Sequence, residues 1–307
     1  MTGPSMLADP TVEHSPTLSV NNLPEAIRHT MQCAVMVEAG SEALQQAIEH
    51  HFRNPGGYLR ARLGYQAATA LGLENDSAII VASISELLHN ASLIHDDVLD
   101  RDTRRRGQAS IWHQWNEGVA ICLGDLFISA AFGLIAELEH FNAQLPSLIR
   151  LVHEQVRATI HGQTRSLSPA LHASEQFRQY AEAARGKSGP LFGLALEAPL
   201  VLSGHPKACP LARSATGAFA TVFQLADDIE DYNSDMALDP EHGAGNMLRA
   251  MERIADDPLV RAWRYADLLL ARSQRLAMRL PNACGDLLIS ECEHLRERIR
   301  QLTGVPG

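Results

Sequence analysis

Two segments of this chain restrict its possible folds more than any other feature. Leu93-Ile94-His95-Asp96-Asp97-Val98-Leu99-Asp100 and Phe223-Gln224-Leu225-Ala226-Asp227-Asp228-Ile229-Glu230-Asp231 each place three aspartates at i, i+1 and i+4 within an apolar run. At about 100° per residue, helix positions i and i+4 lie about 40° apart, so the first and third aspartates project together with the second beside them. Three carboxylates on an apolar helix face are costly to bury unless a cation neutralises them. A solvated helix end would account for one such triplet. Two with the same spacing, 131 residues apart (227 − 96), argue for two helices facing each other across a shared cation site. An all-oxygen donor set suits a hard divalent ion such as Mg²⁺, which takes one or two carboxylates and completes its shell with phosphate oxygens and water.

The remainder also reads as helix. Ala and Leu recur, aromatic residues make up 5%, and no alternating β-branched run is long enough to require a strand. Asn22-Leu23-Pro24-Glu25 marks a helix start, and Asn54-Pro55-Gly56-Gly57 a stop beyond about His51. Further helices are expected over roughly 58–71, 77–100, 115–139, 145–168, 174–203, 210–235, 246–255, 258–280 and 285–302, with an Arg-rich loop at 101–108. The expectation is one all-α domain, residues 22–307, a helical bundle of about ten helices. Residues 1–21 carry Pro4, Pro10 and Pro16 and have neither a basic nor an apolar signal region, so they read as a flexible arm.

Composition excludes several classes of function. Twenty-six Lys+Arg against 36 Asp+Glu leave a net charge of −10 over 307 residues, which argues against nucleic acid as a partner. A 46% hydrophobic content excludes a disordered chain. Cys33, Cys122, Cys209, Cys284 and Cys292 are scattered, as expected of reduced cytoplasmic thiols. The most apolar stretch, Val119 to Ala136, is broken by Asp125 and reads as too short for a transmembrane segment. Lys187 and Lys207 are the only lysines.

Other segments accompany the triplets. Glu86-Leu87-Leu88-His89 precedes the first, and Arg105-Arg106-Gly107 follows it. Then come Gly124-Asp125, Gly162-Gln163 and Arg185-Gly186-Lys187-Ser188 with Leu191-Phe192, and Phe223-Gln224 leads into the second triplet. In this order, over roughly residues 50–235, the chain resembles the trans-isoprenyl diphosphate synthases, or polyprenyl synthetases; the C-terminal third matches only in helical character.

The resemblance implies an isoprenoid-synthase bundle with a central cavity. It implies a Mg²⁺-dependent prenyltransferase, with three ions (or Mn²⁺ in their place), that joins an allylic diphosphate to isopentenyl diphosphate and releases diphosphate. Asp96, Asp100 and Asp227 would be direct metal ligands, and Asp97, Asp228 and Asp231 further ligands or water-mediated partners. Lys187 would neutralise the allylic diphosphate, Arg105 and Arg106 would clamp a diphosphate, and Gln224 and His89 would contact the substrates. A solvated Arg104–Arg106 loop, a capping Gln224 and a structural His89 are the ordinary alternatives. No protein nucleophile is required, consistent with the lack of a Ser/His/Asp or Cys/His arrangement. The resemblance also implies a homodimer.

The chain departs from the family pattern on the acceptor side. Where members carry Gly-Gly-Lys-x-x-Arg to hold isopentenyl diphosphate, it reads Gly56-Gly57-Tyr58-Leu59-Arg60-Ala61-Arg62. Tyr58 and Ala61 replace the cations, and Arg60 and Arg62 flank the vacated arginine position. The segment Asp239 to Asn246 also lacks the usual lysines, with no cation before Arg249. Loss of a charge-assisted contact to diphosphate would weaken acceptor binding unless Arg60 or Arg62 substitutes. Ala91 and Ser92, small residues before the first triplet, imply a product of geranylgeranyl length or longer. Two alternatives remain: a terpene-cyclase-like or altered-acceptor enzyme, motivated by Tyr58 and Ala61, and a non-catalytic partner subunit, a class that generally loses its aspartate motifs.

Overall fold

Twelve α-helices make up most of the described chain, which in this computed structural model comprises residues 22–36, 41–54, 56–166, 173–232 and 246–305. The arm expected at 1–21 and the segment 239–245 lie outside the described residues. Pro24, whose missing N–H is no loss in a first turn, starts α1 (Leu23–Val35). The single helix expected over 23–51 is two, because the Ser41 hydroxyl accepts from the Leu44 N–H (3.3 Å) and starts α2 (Glu42–Arg53). α3 (Leu59–Ala70) is followed by Gly72 at φ 83°, and α4 (Asn75–Asp100) closes on Arg101 at φ 60°.

The 101–108 segment is more ordered than the expected loop. It forms a small antiparallel hairpin in which β1 (Arg104–Arg105) pairs with β2 (Gln108–Ala109). Arg106 and Gly107 both have positive φ, 51° and 80°, the pattern that two-residue hairpin turns favour. After the short α5 (Ile111–Gln114), the Asn116 side chain accepts from the Val119 N–H (2.9 Å) and caps α6 (Glu117–Ala136). Then follow α7 (Leu145–Ser166), α8 (Ala173–Leu202), α9 (Cys209–Glu230), α10 (Met247–Glu252), α11 (Pro258–Ala277) and α12 (Asp286–Thr303).

α4 is central, touching α1, α3, α6 and α8. α8 lies between α7 and α9, while α11 and α12 pack on α9. Leu87, Leu123, Phe127, Phe192 and Phe219 are fully buried among these helices, and the Phe192 and Phe219 rings meet edge-on at 5.3 Å. By length and composition both α4 and α6 could cross a membrane, so Asp125 does not shorten α6 as far as its sequence suggests. In α4, 78% of the apolar window is buried inside the protein, the mark of a core helix, against 44% in α6, whose outer face is open.

Candidate active site

The aspartate triplets occupy the last turns of α4 and α9. Unsatisfied carbonyls there carry the negative end of the helix dipole, so six further acidic groups make both ends strongly attractive to cations. Basic side chains from other elements answer this. Lys187 Nζ on α8 lies 3.2 Å from Asp96 and 3.9 Å from Asp100, bridging the first and third positions of one triplet. Asp97 turns inward and accepts from Arg105 of the hairpin, Nε at 2.8 Å with a second contact through Nη2. Burial raises the Asp97 and Asp100 carboxyls above their ordinary range, against the pull of Arg105 and Lys187 respectively.

A glycine contact explains how Lys187 arrives. A Cβ at Gly162 would overlap the backbone of Gly186 and Lys187, so only glycine lets α7 approach α8 there. Pro190, inside α8, cannot donate to the Gly186 carbonyl four residues earlier, which frees that carbonyl at the crossing. The Gly124-Asp125 pair plays a lesser part: a Cβ at Gly124 would strike only the His95 ring, and Asp125 is exposed, 3.7 Å from His95.

At the second triplet, Asp227 accepts from Arg298 of α12 (2.9 Å), which also grips Glu230 at 2.8 and 2.7 Å. The hydrogen bond to Glu230 leads in raising the Arg298 guanidinium above its ordinary range, while burial raises Asp227. Asp228 faces inward, accepting from the Gln224 amide (2.9 Å) and the Met247 N–H (2.8 Å), while the Asn246 amide donates to its carbonyl. Asp231 ends α9, its N–H bonded to the Asp227 carbonyl (2.9 Å). The two triplets therefore divide labour alike: the i position meets a cation from another helix, and the i+1 position anchors the following chain.

The 56–62 turn has a different character. Tyr58 adopts φ 49°, is 7% exposed, and burial pushes its hydroxyl up to about 12. Ala61 is fully buried, its N–H donating to Glu86 Oε2 (3.3 Å). Arg60 is 8% exposed, with its guanidinium carbon 3.9 Å from the Phe192 ring centre. Its Nη1 donates to His89 Nε2 (3.1 Å), while its buried Nε has no partner among the described residues. Burial lowers Arg60 to about 10, and burial together with Arg60 drives His89 far below its ordinary range, so His89 is neutral and accepts. Arg106 lies over Gly56, where a Cβ would overlap its guanidinium. Arg62 instead points to Glu291 of α12 (3.2 Å). A cavity of about 20 Å³, room for a water, lies beneath the hairpin among His51, Asp97, Arg105 and Arg106.

The sequence-predicted residues thus gather in two groups: Asp96, Asp97, Asp100, Lys187 and Arg105 around the first triplet, and Arg60, His89 and Arg106 beside the turn. Gln224 and Asp228 bond each other, and Arg62 turns toward α12. Arg298 and Asn246 were not foreseen, since neither carries a local signal and each acts from 71 (298 − 227) or 18 (246 − 228) residues away. Among the described residues no three His, Cys, Asp or Glu groups converge into a ready-made metal cage.

A family model described as polyprenyl synthetase matches residues 41–240. The chain belongs to the polyprenyl synthetase family. Among curated relatives, it is 32% identical over 195 residues to an all-trans-nonaprenyl-diphosphate synthase (geranyl-diphosphate specific) of Rhodobacter capsulatus, covering 63% of this chain and 58% of that one. It is 28% identical over 214 residues to a geranylgeranyl pyrophosphate synthase of Geoglobus acetivorans, covering 68% of this chain and 66% of that one. Against a (2E,6E)-farnesyl diphosphate synthase of Mycobacterium tuberculosis the matched part is 49% of the relative, so the chain spans about half to three-fifths of the first relatives it matches. The fold extends further: a decaprenyl diphosphate synthase structure from Rhodobacter capsulatus aligns at TM-score 0.74 over 91% of this chain and 96% of the other, at 18% identity. Polyprenyl synthetases of this kind share the all-α isoprenoid-synthase fold, into which the C-terminal helices α11 and α12 also fall.

Proposed function

We propose that the chain is a Mg²⁺-dependent prenyltransferase that joins an allylic diphosphate to isopentenyl diphosphate, giving a trans-prenyl diphosphate of geranylgeranyl length or longer. The observation that carries this is the pairing of the triplets with imported cations: Lys187 across Asp96 and Asp100, and Arg298 on Asp227. Each pair shows a position where positive charge sits against oxygen donors only. The absence of a complete cage among the described residues fits Mg²⁺, which draws part of its shell from substrate phosphate and water. Asp96, Asp100 and Asp227 would hold the metal, with Asp231 and, through water, Asp97 and Asp228 supporting. When bound, the metal supplies Lewis-acid stabilisation of the leaving diphosphate.

The chain's own residues do the rest. Lys187 and Arg105 neutralise and orient the allylic diphosphate at the mouth between α4 and α8. Arg106, Arg60 and neutral His89 hold the acceptor beside the 56–62 turn. The proton lost from the acceptor leaves with the diphosphate. A homodimer is supported by the open face of α6, where Ile121 is 47% exposed, and by exposed Ile149 and Ile160 of α7. Five free thiols accord with a cytoplasmic setting.

A second reading keeps the same allylic chemistry but replaces the acceptor. Tyr58 and Ala61 favour it, since both are buried and neither can pair with a diphosphate as Lys and Arg would. Incubation with Mg²⁺, labelled isopentenyl diphosphate and each allylic diphosphate separates the two. Labelled, elongated diphosphates are expected; diphosphate release without label incorporation would overturn the first reading in favour of the second.

A further inference from the structure

The outer face of α11 carries a feature that prenyl transfer does not use. Arg261, Arg264, Arg272 and Arg275 lie on this helix, and Arg279 follows just beyond its end. At about 100° per residue, the four on the helix fall within an arc of about 80°, with Leu268 in the middle of the stripe. All five are exposed, Leu268 is 64% exposed, and Met278 at the stripe's end is 63% exposed. None of the five forms an ion pair or a side-chain hydrogen bond among the described residues. The one carboxylate nearby on the helix, Asp267, is taken by Arg296 of α12 at 2.9 Å. A groove of about 590 Å³ opens between Arg272, Arg275, Leu276, Met278 and Arg279.

Neither ordinary explanation accounts for this stripe. Cations in a last helical turn complement the dipole, which covers Arg275, but Arg261 and Arg264 lie in the first turns, where the dipole opposes them. Solubility does not need it either, because the chain already carries a net charge of −10. An excess of unpaired arginine concentrated on one face of an acidic protein, with bare Leu268 inside it and bare Met278 at its end, has the chemistry of a surface that settles on anionic lipid.

The geometry points to the α11 face as a membrane-docking surface whose partner is an anionic lipid bilayer. The arginines engage phosphate headgroups, and Leu268 and Met278 enter the boundary with the acyl chains. The position suits this. Ser273 bonds the Ala215 carbonyl of α9 (2.9 Å), so the Arg272–Arg279 end lies level with a point about 18 Å back along α9 from Asp227. The Arg272–Arg279 end of the stripe thus lies away from the aspartate site.

Sedimentation of the full chain with lipid vesicles tests the assignment without any catalytic readout. Binding is expected to an equal mixture of phosphatidylcholine and phosphatidylglycerol but not to phosphatidylcholine alone, and it should weaken as salt is raised. Removing Arg264, Arg272 and Arg275 together as glutamines should weaken binding roughly a hundredfold, about fivefold for each arginine. Leu268→Ser should weaken it severalfold with all the charge retained, which separates bilayer insertion from simple attraction. Circular dichroism should show helicity unchanged, since these residues are exposed. Failure to bind the mixed vesicles, equal binding to both kinds, or an unaffected triple variant would overturn the proposal. Retention on immobilised polyglutamate with no vesicle binding would identify an acidic protein partner instead and would equally overturn it.

Discussion

The two sides of the candidate site solve opposite electrostatic problems. On the aspartate side, carboxylates crowd the negative ends of two helices, from buried Asp97 and Asp228 to part-exposed Asp100 and Asp227, and cations reach them from elsewhere: Lys187 from α8, Arg105 from the hairpin, Arg298 from α12. On the side of the 56–62 turn the cation itself is buried, with Arg60 set between Phe192 and His89 and its Nε unpartnered among the described residues. The pairs at Asp100 and Asp227 are tolerant, because both partners are part-exposed and water and exchangeable ions can substitute there. The second side is not, because a buried guanidinium with an unmet donor loses or gains a full hydrogen bond when its surroundings change. The aspartate side should therefore govern whether chemistry occurs, and the turn should govern what is accepted.

The largest expected effect lies on the aspartate side. Asp96→Ala and Asp227→Ala should each lower kcat at least about a thousandfold, the scale of losing several kcal/mol of charge stabilisation on the leaving group. Helicity by circular dichroism should stay unchanged, because both carboxylates lie at helix ends. Retained turnover in either variant would contradict the metal assignment. Next in size is Gly162→Ala. The new methyl would overlap backbone atoms of Gly186 and Lys187, which cannot rotate away, so a stability loss of about 1–3 kcal/mol in urea unfolding is expected, together with reduced kcat as Lys187 shifts. Gly124→Ala meets only the movable His95 ring and should cost less. Equal losses would show that the α7–α8 crossing does not specifically place Lys187.

The aspartate side was largely legible in the sequence because its chemistry is written locally. Triplet spacing fixes which carboxylates share a helix face, and an apolar run fixes the helix. The turn was legible only as a set of substitutions. Nothing in Gly56-Gly57-Tyr58-Leu59-Arg60-Ala61-Arg62 tells which arginine turns inward, because both sit on one short helix and tertiary partners decide: His89 and Phe192 for Arg60, Glu291 for Arg62. Arg298 could not be read at all, since a guanidinium on a polar helix looks like any solvated arginine until α12 is packed on α9. The hairpin at 104–109 was missed because two-residue strands lie below any pattern length, although the Arg106-Gly107 turn geometry was the available clue.

The turn can be tested through the same contrast between its arginines. Arg60→Leu should raise KM for isopentenyl diphosphate about tenfold to a hundredfold, the value of a charge-assisted hydrogen bond, while KM for the allylic diphosphate moves little. Arg62→Leu should change either constant less than about twofold, because it breaks only a half-exposed ion pair with Glu291. The reverse order would reassign the acceptor side to Arg62.

The smallest effect concerns pH and belongs to the shell beneath the turn. His51 donates to Asn90 Oδ1 (2.9 Å) and packs against Phe52 and Phe127, and burial lowers it to about 4 from an ordinary 6.5. Folded His51 therefore stays neutral where unfolded His51 takes up a proton, so stability falls as pH drops from about 6.5 toward about 4, by at most about 1.4 kcal/mol per unit. Raised carboxyls work in the opposite direction: Asp97, Asp100 and Asp227 hold their protons more tightly when folded and gain stability as pH falls through their own higher range. Urea unfolding at pH 7 and pH 5 should consequently show a modest loss in the native chain. In His51→Gln, which keeps an amide donor for Asn90 but cannot titrate, that loss should shrink. An identical pH slope in the variant would shift the effect to His89, the other neutral histidine of this side, and His89→Gln would then be the variant that flattens it.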